Sequence, residues 1–410
     1  MPDKAGSTAL WDLSFKAILT IYRQMRIAIL TQPLHYNYGG ILQCFALKTV
    51  LEGMGHEVIV MNRRFNSPGP KAIVLRLGSV AKCIVRRYLL GRKDIAVMSP
   101  WTEMYDIHKL SKEKEAGRRE IERFVSGHIR KTEALRSSKA LRKSLERVAP
   151  DCIIVGSDQV WREWYAPCIE DYFLGFLPED DKRLKITYAA SFGTADAPIS
   201  EKHIQNCIDL AGRFSAISVR EESGVEIMRK TFGREAKLVL DPTLLLSAGD
   251  YAKVAGDAGD CGLVSYVLDE DGIKGGIIEG VSNALGIKQT KLRIVTEHPD
   301  AETVATPSVE KWLASFAGAE FVITDSFHGC VFSIINRKPF IAITNRDRGL
   351  ERLTSLLGAF GLTDRLVFSR EDFEARKERL LSPIDYAPAI EKHRLLVQDS
   401  LAWLKEKLEK

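Results

Sequence analysis

Apolar residues recur along this chain in short runs that end in glycine, serine or aspartate, and the runs alternate with segments of helical spacing. The first run, 26–31, leads into a glycine-containing loop carrying Asn37, Tyr38, Gly39 and Gly40. A helical pattern follows over 41–54, with Leu42, Phe45, Ala46, Val50 and Leu51 on one face. Gly53 and Gly55 close it, and 57–61 predicts a second strand. Strand, loop, helix and strand in that order build a doubly wound parallel sheet. Later runs at 152–155, 185–190, 216–219 and 238–240 also end in small or polar residues. Such residues mark the carboxyl ends of parallel strands, where open α/β sheets bind ligands.

A second α/β series begins after a stretch rich in Ser, Ala, Gly and Asp at 246–260, which reads as an interdomain linker. It predicts strand 262–268, helix 272–286, strand 291–296, helix 308–317, strand 320–324, helix 329–336 and strand 339–343. Leu395, Leu396, Leu401, Leu404 and Leu408 make 386–409 a long amphipathic helix. The expected organisation is a first domain over 25–245 with a charged helical insertion at 64–148, a second over 250–385, and a final helix at 386–410. Met25 stands directly before the first strand, so 1–24 read as an upstream mis-start or a dispensable extension.

Composition narrows the class. A chain of 410 residues exceeds one ordinary core, and 45% hydrophobic with 28% charged residues fits a globular protein. A net charge of +5 suits an enzyme that handles anionic small molecules and falls short of a nucleic-acid-binding signature. The seven cysteines form no Cys-x-x-Cys pair, and several sit in apolar runs. They read as reduced, packed thiols of a cytoplasmic protein rather than as disulfides or metal ligands. No apolar run reaches the roughly 18 residues of a membrane span. Asp12 and Lys16 interrupt 9–22, and no small-residue cleavage site follows, which argues against a signal peptide. Arg86-Arg87 and the dense charges of 112–123 read as a solvated helical face, with docking on an anionic glycan or the inner membrane surface as the alternative.

Four segments carry candidate chemistry. Strand 320–324 runs into Asp325-Ser326-Phe327-His328-Gly329 at the start of a helix, whose free N–H groups bind anions. There Ser326 offers a hydroxyl, Gly329 a close backbone approach, and His328 a general acid or base. The same residues also read as a helix cap and a buried, hydrogen-bonded histidine. Arg220 reads as a guanidinium fork for phosphate or carboxylate, or as a loop ion pair with Glu221 or Glu222. In Gly156–Trp161, Asp158 can orient a base or hold a hydroxyl and Trp161 can stack on a sugar, against an Asx-type turn with a core tryptophan. The Asn37–Gly40 loop lacks the Gly-x-Gly-x-x-Gly spacing, and no P-loop occurs, so NAD and ATP are poorly supported. It still lies where a substrate can be held, with His35 beside it.

The segments ILTQPLHYNYGGILQCFALKTVLEGMGHEVIVMN, DCIIVGSDQVW, ITYAASFG, ISVREESGVEIM, VLDPTLLL and FVITDSFHGCVFSIINRKPFIAI occur in that order, followed by DRGLERLTSLLGAFGLTDRLV. This series, from about residue 27 to residue 368, resembles the polysaccharide pyruvyl transferase family. The 64–148 region carries little of the resemblance and 1–24 none. The resemblance implies two Rossmann-like domains facing a cleft, similar to the GT-B glycosyltransferases, with the final helix crossing back to the first domain. It implies an enzyme that moves a pyruvyl group from phosphoenolpyruvate to a sugar of a polysaccharide or a lipid-linked glycan precursor; no further cofactor is expected, and the sequence shows no metal-ligand cluster. On that basis His328 is the expected catalytic histidine, with Asp158 beside it. Arg220 is expected to hold the donor, and Ser326, Gly329, Asn37, Tyr38, Gly39, Gly40, Ser191 and Trp161 to line the cleft. A nucleotide-sugar glycosyltransferase and a non-catalytic glycan-assembly protein are the alternatives.

Overall fold

A computed structural model describes residues 24–34, 37–65, 112–292, 307–344 and 350–409 together with Val85, with backbone alone over 112–118. The expectations for 1–23, His35, Arg86-Arg87 and the end of strand 291–296 lie outside the described residues.

The first sheet is built from β1 (Arg26–Leu30), β2 (Glu57–Val60), β3 (Cys152–Val155) and β4 (Leu184–Thr187). Their order is β2-β1-β3-β4 and every pair is parallel. Helix α1 (Tyr38–Gly53) joins β1 to β2, while α2 (Lys112–His128) and α3 (Ser138–Val148) precede β3. Helix α4 (Glu201–Ala211), β5 (Ser218–Val219), α5 (Glu222–Lys230) and β6 (Lys237–Leu238) follow. Bridges from Ile186 to Ala216 and from Ala190 to Val219 attach the parallel β5–β6 pair to the sheet edge. Strand β3 is buried along its whole length, as expected where helices cover both faces of a sheet.

The chain then passes through α6 (Ala248–Ala252) into β7 (Leu263–Tyr266), α7 (Gly272–Leu285), β8 (Gln289–Lys291), α8 (Val309–Gly318), β9 (Phe321–Thr324), α9 (Phe327–Ile335) and β10 (Phe340–Ile343). It ends with α10 (Leu350–Phe360), β11 (Leu366–Val367), α11 (Arg370–Leu381) and α12 (Ala387–Leu408). The second sheet runs β11-β10-β9-β7-β8, again parallel. Strand order reverses once in each sheet, between β1 and β3 and between β7 and β9. Those two points are where a doubly wound sheet opens a crevice for ligands.

One apolar core runs through both halves. Helix α1 is its centre, because its residues are buried almost all round rather than on one stripe. Tyr38 stacks on Trp312 of α8 at 5.5 Å, and Phe45 approaches Tyr251, which meets Phe332 of α9 edge-on at 4.8 Å. Within 246–260, expected as a linker, Ser247 and Asp250 form a capping box for α6 and Tyr251 is buried between the halves, while most of the other residues are exposed. The final helix contacts first-half residues as well. Leu240 N donates to Ser400 Oγ at 3.0 Å, His393 Nε2 lies 2.6 Å from Leu244 O, and Trp403 sits beside Tyr188. Among the described residues no helix is long and apolar enough to cross a membrane.

Helix α9 packs tightly on the strand before it. A Cβ at Gly329 would lie 2.1 Å from Thr324 Oγ1, whereas one at Gly275, on the open side of α7, meets nothing within 4 Å. Gly329→Ala is expected to cost about 1–3 kcal/mol through overpacking. Gly275→Ala is expected to add roughly 0.4–1 kcal/mol by restricting the unfolded chain. Urea unfolding midpoints of the two variants measure the contrast.

Candidate functional site

The two sheet crevices meet where Gly39 of α1 touches His328 of α9, and buried polar groups fix the first of them. Beyond β1, the Thr31 hydroxyl donates to Ser157 O at 3.1 Å. Gln43, on α1, donates to Thr31 Oγ1 at 3.0 Å and accepts from Ser157 N at 3.1 Å. These bonds lock the turn after β3, in which Asp158 has φ 66°. That left-handed conformation is one that aspartate tolerates better than most side chains. The Asp158 carboxylate accepts from Asn37 Nδ2 at 3.2 Å and lies 3.5 Å from Arg220 Nη2.

Arg220, at the end of β5, is the centre of the charge cluster. Its Nη1 donates to Asp241 Oδ2 at 2.8 Å, and its Nε lies 3.7 Å from Glu221 Oε2. Glu221 is itself fixed, because its Oε1 accepts from the Ser191 hydroxyl at 2.7 Å and from Phe192 N and Gly193 N. Burial lowers the tendency of the Arg220 guanidinium to stay charged, but Asp241, Asp158 and Glu221 more than reverse this and raise its pKa. Nε and Nη2 of Arg220 and Oε2 of Glu221 are buried with no hydrogen-bond partner among the described residues. Buried polar atoms are rarely left so, and a catalytic role is one of the recognised reasons.

The second half contributes His328, in the first turn of α9, and Arg352, on α10. The imidazole rests directly on Gly39: a Cβ there would lie 2.0 Å from His328 Nδ1. His328 Nε2 is 3.8 Å from Asp241 Oδ2, an ion-pair separation too long for a hydrogen bond, and has no hydrogen-bond partner among the described residues. Burial alone raises the Asp241 carboxyl, yet His328, Arg220 and the Thr243 hydroxyl hold it well below the usual carboxylate range. The guanidinium of Arg220 lies 4.7 Å from the centroid of the Phe327 ring, and that of Arg352 lies 6.0 Å from the same centroid. Burial, and then the like charge of Arg220, bring Arg352 down to about 10. The cluster thus gathers two guanidiniums, three carboxylates and an imidazole where the two halves meet.

Of the residues expected from sequence, the structure brings together Asn37, Gly39, Gly40, Asp158, Arg220 and His328; a Cβ at Gly40 would meet Asn37 and Asp158. Five others are corrected. Trp161 is fully buried, stacked on Phe173 at 5.2 Å with its Nε1 donating to Tyr172 O, so no sugar can reach it. Tyr38 is fully buried at the seam and donates to Pro307 O. Ser191 spends its hydroxyl on Glu221 and acts through it. Ser326 is the N-cap of α9, accepting from Gly329 N at 3.4 Å, and Gly329 faces its own strand rather than the cleft. Asp325 is also structural: it binds Lys274 at 2.9 Å and the backbone N–H of Leu268. Glu221, Asp241 and Arg352 were not expected. Asp241 had a signal, since Asp-Pro-Thr ends an apolar run at the close of the first half.

Two parallel-sheet Rossmann-like domains with facing crevices define a GT-B-like enzyme fold. The chain is similar to the Arabidopsis thaliana protein UGT89C1 complexed with UDP-L-rhamnose, with a TM-score of 0.50 at 8% identity over 95% of this chain and 100% of that one. It is less similar to UDP-GlcNAc 2-epimerase from Methanocaldococcus jannaschii, with a TM-score of 0.46 at 12% identity over 90% and 99% of the two chains. Likeness at this level of identity speaks for the fold alone. The polysaccharide pyruvyl transferase family model matches residues 37–348, and the chain belongs to that family. No curated protein matches it in sequence.

Asp241 supplies a test of the cluster's charge balance. Its folded-state pKa is depressed, so its contribution to stability is present above the unfolded value of about 4 and is lost as pH falls from there toward the lower folded value. Asp241→Asn leaves Arg220 short of its nearest carboxylate and is expected to cost about 3–5 kcal/mol at neutral pH. The deficit should narrow as the pH falls below about 4. Chemical unfolding of both proteins across that range checks the sign; a deficit independent of pH contradicts it.

Proposed function

We propose that this chain transfers the pyruvyl group of phosphoenolpyruvate to two hydroxyls of one sugar in a polysaccharide or its precursor, forming a pyruvate ketal. The observation that carries the reading is the pair of guanidiniums, Arg220 and Arg352, gathered around Phe327 beside His328. Phosphoenolpyruvate presents a phosphate and a carboxylate close together, and guanidiniums favour both. Family membership supplies the glycan as acceptor class.

The chemistry asks three things of the cleft. A proton is added to the C3 methylene of the donor, and C2 becomes oxocarbenium-like. One sugar hydroxyl bonds to C2, the C2–O bond to phosphate breaks, and the second hydroxyl closes the ketal. The two hydroxyl protons balance the one gained by the new methyl group and the one carried by the departing phosphate. His328 moves protons in these steps, with the Asp241 carboxylate 3.8 Å from its Nε2. Arg220 and Arg352 hold the phosphate, and Asp158 and Glu221 face the positive charge that grows at C2.

Ligand-dependent melting tests the donor. Phosphoenolpyruvate at a hundred times its Kd is expected to add about 2.7 kcal/mol of stability, a rise of several degrees in Tm, while nucleoside diphosphates add none. Stabilisation by nucleoside diphosphates alone overturns the reading in favour of glycosyl transfer. His328→Ala is expected to lower turnover by about 10²–10⁴-fold and to keep the donor-induced rise in Tm. Gly39→Ala should mimic it, because the added methyl group occupies the space of the imidazole. Full turnover in Gly39→Ala shows that the contact is not needed for catalysis.

A further inference from the structure

Three residues beyond the buried Trp161 stands an aromatic pair that the cleft chemistry does not use. Trp164 and Tyr165 lie in a 3₁₀ turn, Glu163–Tyr165, and Trp164 leaves 61% of its surface exposed where Trp161 leaves 0%. A single exposed aromatic is ordinary. The support under this one is not.

The guanidinium of Arg162 lies 5.4 Å from the Trp164 ring centroid and 4.6 Å from that of Tyr165. Arg162 Nη1 in turn donates to Gln159 Oε1 at 3.0 Å, and Gln159 directly follows the cleft carboxylate Asp158. Gln32 Nε2 holds the Gln159 carbonyl, and the Glu163 carboxylate accepts from Ser200 N at 2.6 Å. The turn is therefore pinned at both ends. Through Arg162 and Gln159 the aromatic pair is tied to the turn that carries Asp158.

We propose that Trp164 and Tyr165, backed by Arg162, form an acceptor subsite that stacks one pyranose ring of the glycan beside the sugar that reacts. An indole offers a flat apolar face to the C–H face of a pyranose, and a guanidinium stacked on aromatic rings fixes them before the ligand arrives. A rigid platform loses less entropy on binding than a mobile one. The subsite rests on the glycan half of the proposed function, but not on the identity of the donor.

The test uses the full chain with methyl glucoside, methyl galactoside, methyl mannoside, lactose and cellobiose as probes. Binding is followed by saturation-transfer NMR, and phosphoenolpyruvate binding separately by melting temperature. Wild type is expected to bind at least one probe, with the disaccharides ahead of their monosaccharides. Trp164→Ala should weaken that binding about tenfold or more, and Trp164→Phe less, with the donor-induced rise in Tm unchanged in both. Equal sugar binding by wild type and Trp164→Ala, or binding of no probe by wild type, overturns the subsite. Loss of the phosphoenolpyruvate response in wild type, with Trp164-dependent sugar binding kept, removes the donor reading and leaves the subsite standing.

Discussion

Everything in the cleft depends on how closely α1 of the first half can lie on α9 of the second. That approach is possible because residue 39 has no side chain: the His328 ring fills the space a methyl group would take. The same helix turn places Tyr38 on Trp312, and two turns further Phe45 meets Tyr251, which meets Phe332. Burial of these aromatic surfaces drives the halves together, since each large ring removes far more apolar area from water than any polar contact at the seam. Glycine then lets the histidine share that contact instead of being displaced by it. Packing and chemistry are joined at one residue pair.

Electrostatics extend the coupling along the chain. Ser191 fixes Glu221, Glu221 faces Arg220, and Arg220 is paired with Asp241. Asp241 caps the Pro242–Leu245 turn between the two series of strands and also faces His328. Next to it, Leu240 and Leu244 are held by Ser400 and His393 of the final helix. A movement of one half against the other must therefore change the separation of His328 from Asp241, whose other ionic partner is Arg220. A ligand that bridges Arg220 and His328 acts on the same set of contacts, so domain position and ligand binding are linked through Asp241.

The strands were legible because parallel strands covered on both faces are continuous apolar runs, and 152–155 and 320–324 lie almost where that pattern puts them. The start of α1 was not. Gly39 and Gly40 read as loop residues because glycine disfavours helix, yet both lie in its first turn, where close approach outweighs propensity. At the site, His328 and Arg220 were legible as rare residue types at strand ends. Asp241 and Arg352 were not, since contacts between separate stretches of chain leave no local period, and Glu221 was read only as an ion-pair partner of Arg220. Trp161 and Trp164 show the limit most plainly: three residues apart in one polar loop, they look alike in sequence. Only the third dimension puts the first beside Phe173 and leaves the second open over Arg162.

Charges of both signs stand close together in this cleft, and the mixture has a physical consequence. Buried guanidiniums without carboxylates between them would be costly in the empty enzyme, whereas Arg220 between Asp158 and Asp241 is compensated. A wholly basic cleft would hold an anionic donor more tightly, but it would hold the ground state and the reacting state alike and oppose positive charge at the carbon under attack. On the proposed reading, the carboxylates give up some ground-state affinity and act where charge develops. Arginines suit the departing phosphate, and carboxylates suit the cationic centre it leaves behind. With Asp158 and Arg220 only 3.5 Å apart, both demands are met within the span of one small donor.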